Sequence, residues 1–186
     1  MGHAQPKRPF VASDYLAWEL EQPDKHQFFH GEIFAMAGAS RRHATVCGNL
    51  LVALDQALEG TPCRVYMADI QLQAHADEAY FYPDVMVTCD REDHRAERIM
   101  RSPCVLIEVL SPSTEAFDRG AKAATYRRIP SLRELVLVDP DRLKIELFRR
   151  ANDGLWELRD LDSDQSLTLT SIGVEIPGSR IFRNLD

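Results

Sequence analysis

Apolar residues along this chain follow two kinds of pattern, the period of a helix and the short runs of a strand. The strongest helical stretch runs from Arg41 to about Leu58, where apolar residues recur at spacings of three and four and form one stripe. Another helix is predicted over residues 10–22, with Ser13 as its cap and Pro23 beyond its end. Strand-length runs occupy most of the remaining sequence.

Eight of these runs are rich in strand-forming residues and are bounded by turn residues. They are 27–36 (turning near Gly31), 64–74 (broken near Asp69), 80–88, 105–110, 134–139, 143–148, 155–161 and 166–175. The runs 64–74 and 80–88 together predict an antiparallel hairpin. The runs 105–110 and 134–139 are almost wholly apolar and flank a helix that begins after Thr114, which predicts a parallel, right-handed βαβ unit.

The arrangement of these elements predicts a single domain. Asn152, Asp153 and Gly154 give a strong turn signal, so a hairpin follows the βαβ unit. A length of 186 residues suffices for one domain with a full core, and neither a repeat nor a linker divides it. We therefore expect one α/β domain over residues 10–183, with a mixed sheet flanked by helices and an added C-terminal β-hairpin.

Composition excludes several classes of protein. The hydrophobic share is 45% and the charged share is 27%, as in an ordinary globular protein. No apolar run approaches the roughly 20 residues of a membrane span, and residues 1–9 lack the apolar stretch of a signal peptide, so we expect a cytoplasmic protein. The net charge of −7 argues against a general nucleic-acid coat, although not against an enzyme that meets DNA through a local surface.

The four cysteines are Cys47, Cys63, Cys89 and Cys104. None belongs to a CxxC pair, so a zinc site is not expected. In a reducing compartment disulfides are also not expected. The sequence therefore predicts that the cysteines are small buried hydrophobes.

Two predicted strands each carry a single carboxylate, Asp84 in the run Tyr82–Val87 and Glu108 in the run Ile107–Leu110. Desolvation makes an unpaired buried carboxylate costly. One interpretation is that the fold brings the two together around a shared cation, for which oxygen ligands favour Mg²⁺ or Mn²⁺. The other is that both are strand-end acids in solvent.

Lys122 lies in the predicted helix after Glu108, and its spacing from Asp118 and Tyr126 places all three on one helix face. Such a lysine could place a hydrolytic water or steady the charge of a transition-state phosphate. The alternative is an ordinary surface lysine paired with Asp118.

Several segments together resemble the Uma-two family of restriction-endonuclease-like proteins, over about residues 12–180. They are Tyr80–Asp90, Ile107–Thr114, Asp118–Gly120 with Lys122 and Tyr126–Arg128, Glu32–Ile33, Met36–Ser40 and Pro130–Glu134. The Glu-Val-Leu-Ser-Pro-Ser-Thr segment is quite specific to the family. The resemblance implies a restriction-endonuclease-like fold of the PD-(D/E)xK nuclease superfamily.

The resemblance also implies roles for individual residues. Asp84 would be the aspartate of the PD pair and Glu108 the second acid. Most of the superfamily has a lysine two residues after that acid, where this chain has Leu110. The family moves the lysine to the following helix, which corresponds to Lys122 and favours a catalytic role for it.

One position departs from the family pattern. Members carry a glutamate before the Gly-Glu-Ile turn, and Gln27 stands at that position here. A glutamine can still offer an oxygen ligand, but it removes one negative charge from the site. We therefore expect Gln27 to complete the metal site with weaker metal binding.

These observations favour a metal-dependent endonuclease that hydrolyses DNA with Mg²⁺ or Mn²⁺. The candidate phosphate contacts, whose guanidinium forks suit phosphate oxygens, are Arg41, Arg42, Arg127 and Arg128. Arg41 and Arg42, with His43, sit in the first turn of a helix, where a solvated helix start is the alternative. A homodimer is a plausible means of cutting both strands of a duplex.

Two other functions remain open. A nuclease-like fold could persist as a non-catalytic module that binds nucleic acid or a protein, which Gln27 and the acidic net charge favour. A glycosidase could use Asp84 and Glu108 as acid and base. The glycosidase gives no role to Lys122 and ranks last.

Overall fold

Two β-sheets and a short C-terminal hairpin form the framework of the protein. The computed structural model describes residues 10–36 and 38–185. The segment 1–9, for which no signal peptide is predicted, and Ala37 in the predicted breaker before the second helix lie outside the described residues. In the described ranges the α-helices are α1 Ala12–Glu19, α2 Arg41–Ala57, α3 Glu115–Phe117, α4 Ala123–Tyr126 and α5 Gly178–Ile181. None of them is long and apolar enough to cross a membrane.

Thirteen strands are present in the described ranges. They are β1 His26–Phe29, β2 Glu32–Ala35, β3 Arg64–Met67, β4 Gln71–His75, β5 Ala79–Phe81, β6 Val85–Thr88, β7 Ile99–Met100, β8 Pro103–Val109, β9 Glu134–Asp139, β10 Lys144–Arg150, β11 Trp156–Asp162, β12 Ser166–Leu169 and β13 Val174–Pro177. One mixed sheet has the order β2-β1-β5-β4-β7, and the other has the order β11-β10-β9-β8-β6-β3. The remaining pair, β12 and β13, is antiparallel.

The hairpin predicted over residues 64–88 is divided between the two sheets. Strands β4 and β5 pair in the five-stranded sheet, while β3 and β6 pair in the six-stranded sheet. The chain leaves the six-stranded sheet near Asp69 and returns to it through Pro83, whose ring nitrogen has no hydrogen for a ladder bond. Asp84 therefore lies just outside β6, where the two sheets separate.

The predicted βαβ unit is present, with β8 parallel to β9. Its connection is not the continuous helix that the sequence predicts. Between α3 and α4 the segment Asp118–Lys122 forms a π-helical turn, with non-helical backbone angles at Gly120. The run 166–175, predicted as one strand or loop, forms the two strands of a hairpin that turns at Gly173, whose φ is 66°.

The central strands β6, β8 and β9 of the six-stranded sheet are buried on both faces, and alternate residues along them divide between two cores. Val85 and Ile107 face the core that contains α2 and the C-terminal hairpin. Met86 and Leu106 face the core that contains α4 and the strands β4 and β5. Each fully buried apolar side chain of this size contributes about 1.5–3 kcal/mol. The strand ends between the two helical layers are thereby held in a fixed place.

The expectation that the protein has no disulfide is wrong. Cys63 and Cys89 are joined by one, and Cys104 lies with its Sγ 3.6 Å from that of Cys89. The pairing of Arg64 with Thr88 explains the bond, because continuing this register brings residues 63 and 89 opposite each other. Cys47 is buried and free, as predicted.

Candidate active site

Asp84 and Glu108 lie at one end of the six-stranded sheet. Val85 is opposite Ile107 in the antiparallel pair of β6 and β8, so the next position along brings Asp84 opposite Glu108. Asp84 Oδ2 accepts a hydrogen bond of 2.7 Å from the backbone N–H of Val109, the residue that follows Glu108. The two acids therefore lie side by side at the carboxyl end of the central strand β8.

Lys122 is buried beside Glu108 and is not a surface lysine. Its Nζ lies 2.8 Å from Glu108 Oε1 and 3.2 Å from Asp118 Oδ1. Tyr126 donates a hydrogen bond of 2.7 Å from its hydroxyl to the same Oε1. Lys122 and Glu108 are each only 3% exposed. Two residues of the predicted helix face, Lys122 and Tyr126, thus meet at the Glu108 carboxylate, and the third, Asp118, pairs with Lys122.

Burial dominates the electrostatics of this pair. Desolvation raises the pKa of Glu108 to about 8, against the lowering effect of Lys122 and with the charges of Asp84 and Asp118 adding to the rise. Desolvation acts to lower the pKa of Lys122, but Glu108 and Asp118 outweigh it and raise the pKa. An excess of carboxylates around one ammonium group is the electrostatic state that a divalent cation would relieve.

His43 is the site neighbour that sequence reasoning missed. Its Nε2 lies 3.3 Å from Asp84 Oδ2, and the cap Ser40 accepts from its backbone N–H. Burial acts to lower the pKa of His43, but the hydrogen bond and charge of Asp84 outweigh it and raise the pKa. The sequence signal was its position four residues before Cys47, which places both on the buried face of α2.

The side-chain oxygen of Gln27 is a hydrogen-bond acceptor that no donor in the described chain contacts. Its Oε1 is buried and has no hydrogen-bond partner among the described residues. Alternation along β1 places Gln27 on the same face as Phe29, which packs on Phe81 with 5.9 Å between ring centroids. Lys122 Nζ is 5.8 Å from the centroid of Phe81. A buried, unpaired carbonyl oxygen fits a role as ligand to a cation, so these residues fit a hard metal ion.

The four arginines proposed as phosphate contacts have different surroundings. Arg42 donates to the backbone oxygens of Pro140 and Leu185, so its guanidinium holds the start of α2 to the C-terminal segment. Arg127 lies over the ring of Phe148, and Arg128 pairs with Glu78 at the surface. Arg41 is exposed in the first turn of α2. The bonds of Arg42 are those of a structural clamp.

Residues 12–177 match the model of a family described as "Uma2: Putative restriction endonuclease". The chain belongs to the Uma2 family. It is 36% identical over 183 residues to the uncharacterized protein slr1290 of Synechocystis sp., covering 97% of this chain and 96% of the relative. It is 33% identical over 153 residues to the uncharacterized protein sll1609 of the same organism, covering 81% of this chain and 86% of the relative.

A solved structure resembles this Uma2 protein over nearly its whole length. It is the crystal structure of a "putative nuclease belonging to DUF820" from Anabaena variabilis, which matches with a TM-score of 0.81. The match covers 96% of this chain and 100% of that one, at 16% sequence identity. At that identity the likeness shows the fold. The predicted α/β fold with a C-terminal hairpin is therefore confirmed, with two mixed sheets where the sequence predicted one.

Proposed function

We propose that this Uma2 protein is a metal-dependent endonuclease that hydrolyses DNA phosphodiester bonds. The observation that carries the proposal is the contact of the buried lysine Lys122 with Glu108. Asp84 lies beside this pair, because it accepts a hydrogen bond from Val109, the residue that follows Glu108 in β8. A buried ammonium group between carboxylates at a strand end is a costly arrangement. Such groups cluster at functional sites.

Asp84, Glu108 and Gln27 are the residues that would hold Mg²⁺ or Mn²⁺. All three offer the oxygen ligands that these ions prefer. When bound, such an ion polarises a phosphoryl oxygen and lowers the pKa of a coordinated water. Lys122 supplies a fixed positive charge next to Glu108, where it would stabilise the negative charge that develops on the phosphate.

The surrounding donors hold these side chains in place. Val109 N–H and His43 Nε2 both lie within hydrogen-bonding distance of Asp84 Oδ2, at 2.7 and 3.3 Å. Tyr126 fixes Glu108 Oε1. In this proposal Arg41, Arg127 and Arg128 contact DNA phosphates, and a homodimer cuts the two strands of a duplex.

Nicking of supercoiled plasmid DNA in the presence of Mn²⁺ tests the proposal. Asp84→Asn, Glu108→Gln and Lys122→Met are each expected to lower the rate by at least about 100-fold, since each removes a charge that the transition state needs. Lys144→Met is the matched control, because Lys144 is an exposed lysine paired with Asp162 on the far hairpin. Undiminished nicking by Asp84→Asn and Glu108→Gln would show that the assignment is wrong.

Gln27 favours a second candidate, a nuclease-like module that binds nucleic acid or a protein partner without cutting. The amide leaves the site one negative charge short of the family pattern. Titration calorimetry with Mg²⁺ and Mn²⁺ separates the two functions. Metal binding that is lost in Asp84→Asn supports the nuclease, whereas DNA binding without any metal uptake supports the module.

A further inference from the structure

The side of Asp84 that faces α2 carries a second set of metal-binding groups. His43, Cys47 and Asp84 each present one ligand atom, and these atoms lie within 4.8 Å of one another. Cys47 Sγ lies 3.6 Å from His43 Nδ1, and His43 Nε2 lies 3.3 Å from Asp84 Oδ2. Lys122 and Asp118 in the π turn and Tyr126 in α4 contact Glu108 or each other. The cluster of His43, Cys47 and Asp84 instead involves α2, on the other side of the sheet.

The donor atoms differ in kind from those of the proposed nuclease centre. Mg²⁺ and Mn²⁺ take oxygen ligands, whereas a thiolate and an imidazole select zinc and similar ions. Tetrahedral zinc with bonds of about 2.0–2.3 Å holds its ligand atoms about 3.3–3.8 Å apart. One metal ion binds only one nitrogen of the His43 ring. Nδ1 lies 3.6 Å from Cys47 Sγ and Nε2 lies 3.3 Å from Asp84 Oδ2, so one of these two spacings falls in this range whichever nitrogen binds. The three ligand atoms, one from each residue, lie within 4.8 Å of one another, so shifts of about 1 Å in the His43 ring and the Cys47 side chain would bring the other pairs into the range.

A thiol, an imidazole and a carboxylate in sequence also suggest a nucleophilic cysteine, but the surroundings argue against that. Cys47 is only 5% exposed, so a substrate cannot reach its sulfur. Burial raises the pKa of Cys47, and the charges of Asp84 and Glu108 raise it further. A neutral thiol surrounded by carboxylates is poorly nucleophilic, whereas a cation stabilises its thiolate.

We propose that His43, Cys47 and Asp84 form a site for Zn²⁺ or another thiophilic divalent transition metal ion. Binding forms metal bonds to sulfur, nitrogen and oxygen, releases the thiol proton to the buffer and transfers no electrons. Because Asp84 cannot serve both centres fully, zinc at this site withdraws a ligand from the magnesium or manganese centre. The protein is then an endonuclease inhibited by zinc, a consequence that rests on the proposed function.

Titration of the metal-free protein with Co²⁺ alone tests the site without any measurement of activity. Wild type is expected to develop the near-ultraviolet thiolate-to-Co²⁺ absorption at one equivalent, and Zn²⁺ is expected to abolish it. Cys47→Ala should lose this band, and His43→Ala should bind Co²⁺ at least about 10-fold more weakly. The matched controls Cys104→Ala, which removes the other free thiol, and Glu108→Gln should retain it.

Absence of the band in wild type, its persistence in Cys47→Ala or its loss in Cys104→Ala would overturn the proposed site. X-ray absorption at the zinc edge of the wild-type protein gives a check that needs no folded variant. One sulfur with lighter ligands supports the site, and two or more sulfurs would place the metal at the other cysteines instead.

The inhibition is measured separately, as the Zn²⁺ concentration that halves Mn²⁺-dependent plasmid nicking. This concentration is expected to rise at least about 10-fold in Cys47→Ala, relative to that variant's own uninhibited rate. An equal value in both proteins overturns the inhibitory role. A Co²⁺ band in a protein that never nicks DNA supports the metal site and contradicts the proposed nuclease function.

Discussion

Two buried glutamates in neighbouring strands show two ways of placing a carboxylate inside this protein. Glu134 is fully buried and accepts from Arg149 Nε and from the backbone N–H groups of Thr170 and Ser171. Those donors spread over both of its oxygens and tie β9 to the C-terminal hairpin. Among the described residues, Lys122 and Tyr126 instead bond to Glu108 at Oε1 alone. Glu134 thus has the bonds of a structural carboxylate, whereas the donors to Glu108 do not offset the cost of burying its negative charge.

Metal-free protein should therefore be stabilised by Glu108→Gln at alkaline pH. The pKa of Glu108 is raised from an ordinary value of 4.5 to about 8. Between these values the folded protein holds a proton that the unfolded chain has released, so this group makes the folded state less stable as pH rises. Gln cannot ionise, so the Tm of the variant should exceed that of wild type by at least about 2–4 °C at pH 8.5.

The same comparison at pH 4.5 should show a much smaller difference in Tm, since neither side chain is then ionised in the folded state. Glu134→Gln is the control, because it removes charge from a fully bonded carboxylate and should lower Tm at both pH values. A Tm difference for Glu108→Gln that does not depend on pH would contradict the assigned environment of this carboxylate. At pH 8.5, saturating Mn²⁺ should raise the Tm of wild type above that of Glu108→Gln, because wild type binds the ion more tightly.

At the scale of the elements, the site depends on two helical segments of unlike regularity. Helix α2 is regular over 17 residues and presents His43 from its first turn. The segment from α3 to α4 is interrupted by a π turn, in which the N–H of Ala123 bonds to the carbonyl of Asp118. Such turns insert an extra residue into a helix and recur at functional sites. Asp118 and Lys122 are the first and last residues of this turn, and Lys122 contacts both Asp118 and Glu108.

The arginines of these elements should separate into two classes when mutated. Arg128→Ala is expected to weaken DNA binding at every sequence and to reduce the slope of log affinity against log salt by about 1, with Tm unchanged. Arg42→Ala is expected to lower Tm, because it leaves the backbone oxygens of Pro140 and Leu185 without their donor. Fluorescence anisotropy with labelled duplex and thermal unfolding measure the two effects. An unchanged salt slope in Arg128→Ala would remove that residue from the DNA surface.

Over the whole molecule, the two sheets are joined by segments of the chain that pass from one sheet to the other, as between β3 and β4 and between β5 and β6. The disulfide between Cys63 and Cys89 fastens the outer edge of the six-stranded sheet. Its separation of 26 residues implies a contribution of about 3.5 kcal/mol from the restricted unfolded chain. A reductant is therefore expected to lower the Tm of wild type. The double variant Cys63→Ala/Cys89→Ala should have a lower Tm than oxidised wild type, and reductant should not change it. A wild-type Tm that reductant leaves unchanged would contradict the contribution of the disulfide.

What the sequence could predict was local. The periodicity of α2 and the apolar runs of β8 and β9 depend on residues near one another in the chain, and these elements are present as predicted. The division of the first hairpin between two sheets and the disulfide depend on strand register, which no single run encodes. His43 is one histidine beside two arginines, so its contact with Asp84 appears only once α2 is packed on the sheet.

The start of α2 is fastened by residues from the far end of the described chain. Arg42, next to His43, bonds to the backbone oxygen of Leu185, and Asn49 donates to the backbone oxygens of Ile181 and Arg183. During synthesis these contacts form after every other element of the described chain has left the ribosome. Asp84, Glu108 and Lys122 are thus all synthesised before the C-terminal contacts can fix the position of α2 and its His43. The order of translation therefore makes the α2 side of the candidate active site the last part to be completed.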